Sequence, residues 1–167
     1  MNLFEINDLK KNLAFVHQVI VASERLLEEA YTESKDEELK EYFLSHLKEE
    51  ANHAQWLKED LAGFSIGLNA TAVSMAGSQY YLIKHVHPAC LLGYMLALEK
   101  PIAMELVDEL EKTHGKPILR TLRIHAENDP AHYADLLRQI EKQPPELRVL
   151  IEQNRAWTQA QIASYQG

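Results

Sequence analysis

The chain has 167 residues, 46% hydrophobic and 25% charged, with a formal net charge of −8. That length suits one domain, 1–167, with a core of its own, and the acidic balance without a basic patch argues against a nucleic-acid partner. A single cysteine, Cys90, excludes an intrachain disulfide and fits a reducing cytoplasm.

The periodicity is helical almost throughout, so the expected fold class is all-α. The start, MNLFEINDLK, lacks the layout of a signal peptide, and a cytoplasmic location is expected. The first helix is predicted from about Ile6 to Tyr31, with Leu9, Leu13, Val16, Ile20 and Leu27 along one side and Asn7 or Asp8 as cap. A second runs from about Lys35 to Leu61, and Gly63 follows its end as a C′ glycine would. Leu61 to Ile83 is uncharged and long enough to cross a membrane. Its Gly, Ser, Asn, Thr and Gln residues favour a buried connection instead. Residues 63–87 are expected as a long connection with a short helix near Val73 to Ile83. Such a connection can cross a bundle, so the second and third helices need not be antiparallel neighbours. The third helix is predicted from Pro88 to about His114, where Gly115 ends it, with Pro101 freeing the Ala97 carbonyl. The fourth opens at Pro117 and reaches about Lys142, with Pro130 inside. Pro144 and Pro145 then break the chain before a fifth over Glu146 to Tyr165. Trp157 on that last helix faces either the core or a second subunit, which leaves a homodimer open.

One pattern occurs twice: His46, Glu50 and His53, then His125, Asp129 and His132. Residues at i, i+4 and i+7 of a helix share a face. Imidazole and carboxylate ligands crowded in this way suit iron, manganese or zinc. Glu49 also precedes His53 by four, so spacing does not choose between Glu49 and Glu50. Glu24 lies on the stripe Leu13, His17, Ile20, Glu24, Leu27, where a Glu at the stripe edge is as good a reading as a ligand. Glu99 ends the uncharged run from Ala89 to Leu98, and a carboxylate there needs a cation because burying it unpaired costs several kcal/mol or more. Glu24, Glu50-x-x-His53, Glu99 and Asp129-x-x-His132 together follow the arrangement of di-metal helical sites. Their four negative charges match two divalent cations.

The stretch from His87 to Glu99 resembles the central helix of heme-oxygenase-like proteins. His125-x3-Asp129-x2-His132 is similar to the last-helix signature of the heme-oxygenase-like di-iron oxidases, often labelled iron-containing redox enzymes. His46-x2-Glu49-Glu50-x2-His53-x2-Trp56-x3-Asp60 resembles the same family. The likeness spans roughly residues 13 to 140 and implies a heme-oxygenase-like helical bundle. It further implies that Glu24, His53 and Glu99 hold one iron, that a bridging Glu99 with His125, Asp129 and His132 holds the other, and that Glu50 is a further or mobile ligand. His46, Glu49 and His17 are additional candidates. The activity implied is oxidation of a small organic substrate (an amine, amino acid or fatty acid) with dioxygen as co-substrate and two irons per chain, or manganese.

Three other readings stay open. His17 could be an axial ligand in a heme-binding oxygenase of the same fold. Cys90, near the start of a buried helix, could be the nucleophile of a hydrolase resembling the thiaminase II relatives. The chain could also be a non-catalytic helical protein that stores or senses metal. Met75, Tyr80 and Tyr81 in the uncharged segment 63–83 could form a substrate wall, or could simply pack in the core.

Overall fold

A computed structural model describes residues 9–165. The expected first turn from Ile6, with its Asn7 or Asp8 cap, lies outside the described residues. Among the described residues every regular element is helical: α1 (Leu9–Glu33), α2 (Glu37–Glu50), α3 (His53–Asp60), α4 (Ala70–His85), α5 (Leu91–Leu98), α6 (Met104–His114), α7 (Arg120–Glu141) and α8 (Pro145–Ser164). Short 3₁₀ turns, Pro88–Cys90 and Pro117–Leu119, lead into α5 and α7.

Local chemistry explains most of the boundaries. The Asp36 carboxylate accepts the Leu39 N–H at 2.9 Å and caps α2. The Asn69 side chain accepts from Thr71 and Ala72 and caps α4. Gly63 and Gly115 take φ of +78° and +87°, a region that favours glycine.

Two expected helices are broken. The second stops at Glu50 and restarts at His53, because Asn52 adopts a left-handed φ of +79°. The third ends at Leu98, and residues 99–103 are non-helical before α6 begins at Met104. Pro101 lies inside that gap, so it interrupts the helix outright rather than only kinking it. The connection after α3 is also not a buried loop. Its helix α4 is longer than expected and buries Ala72, Met75, Gln79 and Ile83, while Val73, Tyr80 and Tyr81 face outward. No helix among the described residues is long and apolar enough to cross a membrane.

α1 packs against α2, α3 and α4, while α5 packs chiefly on α8. The α5–α8 approach is close: a Cβ on Gly93 would collide with the Ile151 carbonyl oxygen. Trp157 of α8 packs on the core. One apolar cluster gathers Phe15, Val19, Phe43, Leu92, Tyr94 and Ile151. A second gathers Leu13, Ile20, Leu57, Leu110 and Leu122. Members of both line one cavity, so the cavity lies where the two clusters meet.

Candidate metal centre

The site is built on one antiparallel contact. Thr121, at the start of α7, donates its N–H (2.9 Å) and its hydroxyl (2.6 Å) to Asp60 at the end of α3. Further along, the His53 ring stands 4.8 Å from the His125 ring. The His46 ring then stands 5.1 Å from the His132 ring, and Glu38 pairs with Lys142 beyond them. α2–α3 and α7 thus run past each other in opposite directions, and the two copies of the repeated pattern meet head to tail.

This docking gathers three triads whose potential ligand atoms lie within 4.8 Å of one another: His46, Glu50 and His132; Glu50, His53 and His125; and Glu99, Asp129 and His132. Glu99 enters from the end of α5, with Oε1 2.7 Å from His46 Nε2 and Oε2 3.3 Å from His132 Nδ1. His53 Nδ1 lies 2.9 Å from Glu50 Oε2, and His125 Nδ1 lies 3.4 Å from Asp129 Oδ1. His46, Glu50, His53 and Asp129 are buried.

The grouping differs from the one the family resemblance implies. His53 sits with Glu50 and His125, whereas Glu99 sits with His46, His132 and Asp129. The reason is the antiparallel docking, which opposes His53 to His125 and His46 to His132. Glu50 and Glu49 are separated as well. Glu50 turns inward and belongs to two triads; Glu49 is exposed and reaches His132 Nε2 from outside at 3.2 Å. Glu24 joins no triad. It is half-buried on α1, where desolvation pushes its carboxyl up, the Ala54 backbone opposes that, and Glu50 and His53 act on it in opposite senses. His17 is not in the cluster either. It lines a separate groove with α4 residues such as Ala72, Val73 and Tyr80.

The charges interlock. Burial opposes ionisation of Glu99, but His132 and His46 beside it outweigh this and hold its carboxyl at about 2. The Glu99 carboxylate in turn holds His132 up at about 9. Burial also opposes ionisation of Glu50, yet the His53 hydrogen bond and the His125 and His46 rings lower it. Burial would lower His125, but Asp129 and Glu50 raise it. Asp129 is pushed up by burial, against the pull of His125.

These attractions leave polar atoms unsatisfied. Glu99 Oε2, His132 Nδ1 and His125 Nε2 are buried without a hydrogen-bond partner, although the first two are only 3.3 Å apart. A buried polar atom without a partner costs about 1–3 kcal/mol. Carboxylate oxygens and, once deprotonated, imidazole nitrogens converging on shared points are a donor set that fits a cation.

The triads border a cavity of about 600 Å³, which His46, Glu50, Glu99, His125 and Asp129 line on one side. Most of the remaining wall is apolar and includes Val16, Ile20, Leu57, Met95 and Ile102. Its hydroxyls include the Ser23–Tyr94 pair, 3.1 Å apart. Met75, Tyr80 and Tyr81 do not line it: Met75 is core, and both tyrosines are exposed. Cys90 is fully buried, and burial pushes its thiol up, away from the thiolate a nucleophile requires.

Two tyrosines of this region do not figure among the sequence candidates. Tyr94 lies in the apolar run before Glu99, where nothing separates a cavity-wall phenol from a core one. Tyr42 had a usable signal, since it shares the helical stripe of His46 and Glu50 at spacings of four. Its ring lies 6.0 Å from that of His46.

No family model, curated protein or solved structure matches this chain.

Proposed function

We propose that the chain is a non-heme di-iron oxidase or oxygenase with a heme-oxygenase-like fold, which activates dioxygen to oxidise a small organic substrate. Manganese is the alternative metal, because it accepts the same oxygen and nitrogen ligands. The observation that carries this reading is the set of three triads bordering an apolar cavity, with buried ligand atoms left unpartnered.

In this reading His46, Glu99, Asp129 and His132 hold one cation. Glu50, His53 and His125 hold the other, and Glu24 on α1 stands outside these groups, though within the electrostatic influence of Glu50 and His53. Ferrous iron held by these residues would supply the electrons for reducing dioxygen. The chain's own residues do the rest. Glu50, shared between two triads, ties the halves of the site together. The apolar wall excludes water from the reacting region and offers room for a substrate. The inward position of Glu99 and Asp129 favours a working centre over a surface cluster that collects metal by chance.

Anaerobic loading with ferrous iron, followed by exposure to dioxygen, tests the reading. The expected result is retained iron and a near-ultraviolet or visible absorption change. A chain that retains no iron and shows no optical change overturns it.

A further inference from the structure

We propose that the cavity beside the candidate metal centre binds an uncharged, largely hydrocarbon molecule through a hydroxyl group, whose proton is accepted by the Ser23–Tyr94 pair; as a statement about the substrate, this rests on the function proposed above.

The cavity of about 600 Å³ has two kinds of wall. One is the cluster of imidazoles and carboxylates. The other comes mainly from α1, α5 and the non-helical residues 99–103, and is largely apolar. Outside the cluster its polar side chains are Ser23, Tyr94, Lys100 and Thr121. The Thr121 hydroxyl gives its proton to Asp60 at 2.6 Å. Lys100 is exposed, so its ammonium can stay in water at the edge of the cavity. Ser23 of α1 and the buried Tyr94 of α5 are left as the polar groups of the apolar wall.

A proton count fixes what this pair can take. Each hydroxyl has one proton to give and lone pairs to accept with. Ser23 Oγ donates to the Val19 carbonyl at 2.9 Å. The proton in the 3.1 Å contact between the two hydroxyls therefore comes from Tyr94. Burial pushes that phenol up to about 12, so it keeps its proton at neutral pH. Both protons are thus used within the wall, and lone pairs are what the pair offers the cavity. A carboxylate or a carbonyl, which brings only lone pairs, finds no donor there. An ammonium would bring a charge that neither hydroxyl balances, at a high desolvation cost. A neutral O–H donor on a hydrocarbon body suits both the pair and the surrounding apolar wall.

The test is calorimetric titration of the full chain, metal-free and anaerobically loaded with ferrous iron, with iron content measured on the same samples. The probes are n-octanol; its isomer methyl heptyl ether, which accepts but cannot donate; octanoate; and octylammonium. The expected result is a single site for n-octanol in both forms, about tenfold tighter than for the ether. Ser23→Ala frees the Tyr94 proton to face the cavity, so the ether should gain on the alcohol. Ser23→Ala with Tyr94→Phe should bind the two isomers alike. Equal binding of the isomers by the parent chain, or no binding of n-octanol, overturns the inference. So does octanoate or octylammonium binding as tightly as n-octanol. Any of these results with iron retained leaves the oxidase reading standing. A chain that prefers n-octanol but retains no iron overturns the oxidase reading and keeps the hydroxyl site.

Discussion

The packing of α8 on α4, α5 and the turn before α5, and the packing of α2–α3 on α7, are both buried and both carry polar side chains, yet they treat them in opposite ways. At the first, Asn154 and Gln79 exchange amide hydrogen bonds of 2.9 and 2.7 Å, and Asn154 also donates to the Cys90 carbonyl at 2.7 Å. Gly93 lets the backbones touch. The Thr158 hydroxyl is the exception on α8, buried without a partner. At the second, Glu99 Oε2 and His132 Nδ1 face each other as an ion pair at 3.3 Å outside hydrogen-bond geometry, and His125 Nε2 is buried without a hydrogen-bond partner. Apart from Thr158, the polar side chains named at the first contact find their partners within the protein. The second gathers inward-facing carboxylates and imidazoles into groups that could hold a cation, the role proposed for them above.

The largest effect is expected where the first contact is tightest. Gly93→Ala puts a methyl against the Ile151 backbone, so α8 must shift. Denaturant unfolding should show a loss of at least the ~1–3 kcal/mol typical of overpacked cores, with iron per folded chain unchanged. A neutral result would mean that the helices are not in close contact there. Next in size, Asn154→Leu strands the Gln79 amide in the core and should cost about 1–3 kcal/mol. Adding Gln79→Leu should recover part of that loss; simple additivity would show that the pair is not coupled.

A smaller effect sharpens the other side of the comparison. His132 is held at about 9 against an ordinary value of 6.5, so in chelator its pairing with Glu99 stabilises the fold fully below 6.5. That contribution fades as pH rises through about 9. Thermal unfolding of the metal-free chain should therefore weaken across this range more steeply in the parent than in Glu99→Gln, where Glu49 still faces His132. A parent profile as flat as the variant's would contradict the pairing. The smallest effect concerns the break in the first ligand-bearing helix. Asn52→Gly relieves a left-handed backbone but adds chain entropy, for a net gain of a few tenths of a kcal/mol. Asn52→Ala should instead destabilise, and unfolding curves of the two variants measure the difference.

The helical class, the ends of α7 and the inward face of Glu99 were legible because each rests on local pattern: a stripe, a proline or a carboxylate in an apolar run. The break at Asn52 was not. Neither residue 51 nor 52 is Gly or Pro, and the stripe through His46, Glu50 and His53 passes across the break as if the helix continued. The grouping of ligands was illegible for another reason. Spacing tells which residues share a helix face, but the opposition of His53 to His125 and of His46 to His132 depends on how two distant segments dock. Burial separates Glu50 from Glu49, and it too is a tertiary property. Pro101 announced a disturbance, but not that five residues would leave the helix.

The most direct measurement is the metal-to-chain ratio after equilibration with ferrous iron or manganese and removal of the excess. Two ions per chain, falling in Glu99→Gln by more than the roughly 10–100-fold loss of affinity seen when an outer partner is removed, is the predicted result. A ratio near zero under every loading condition, in a chain that remains folded, would contradict the account.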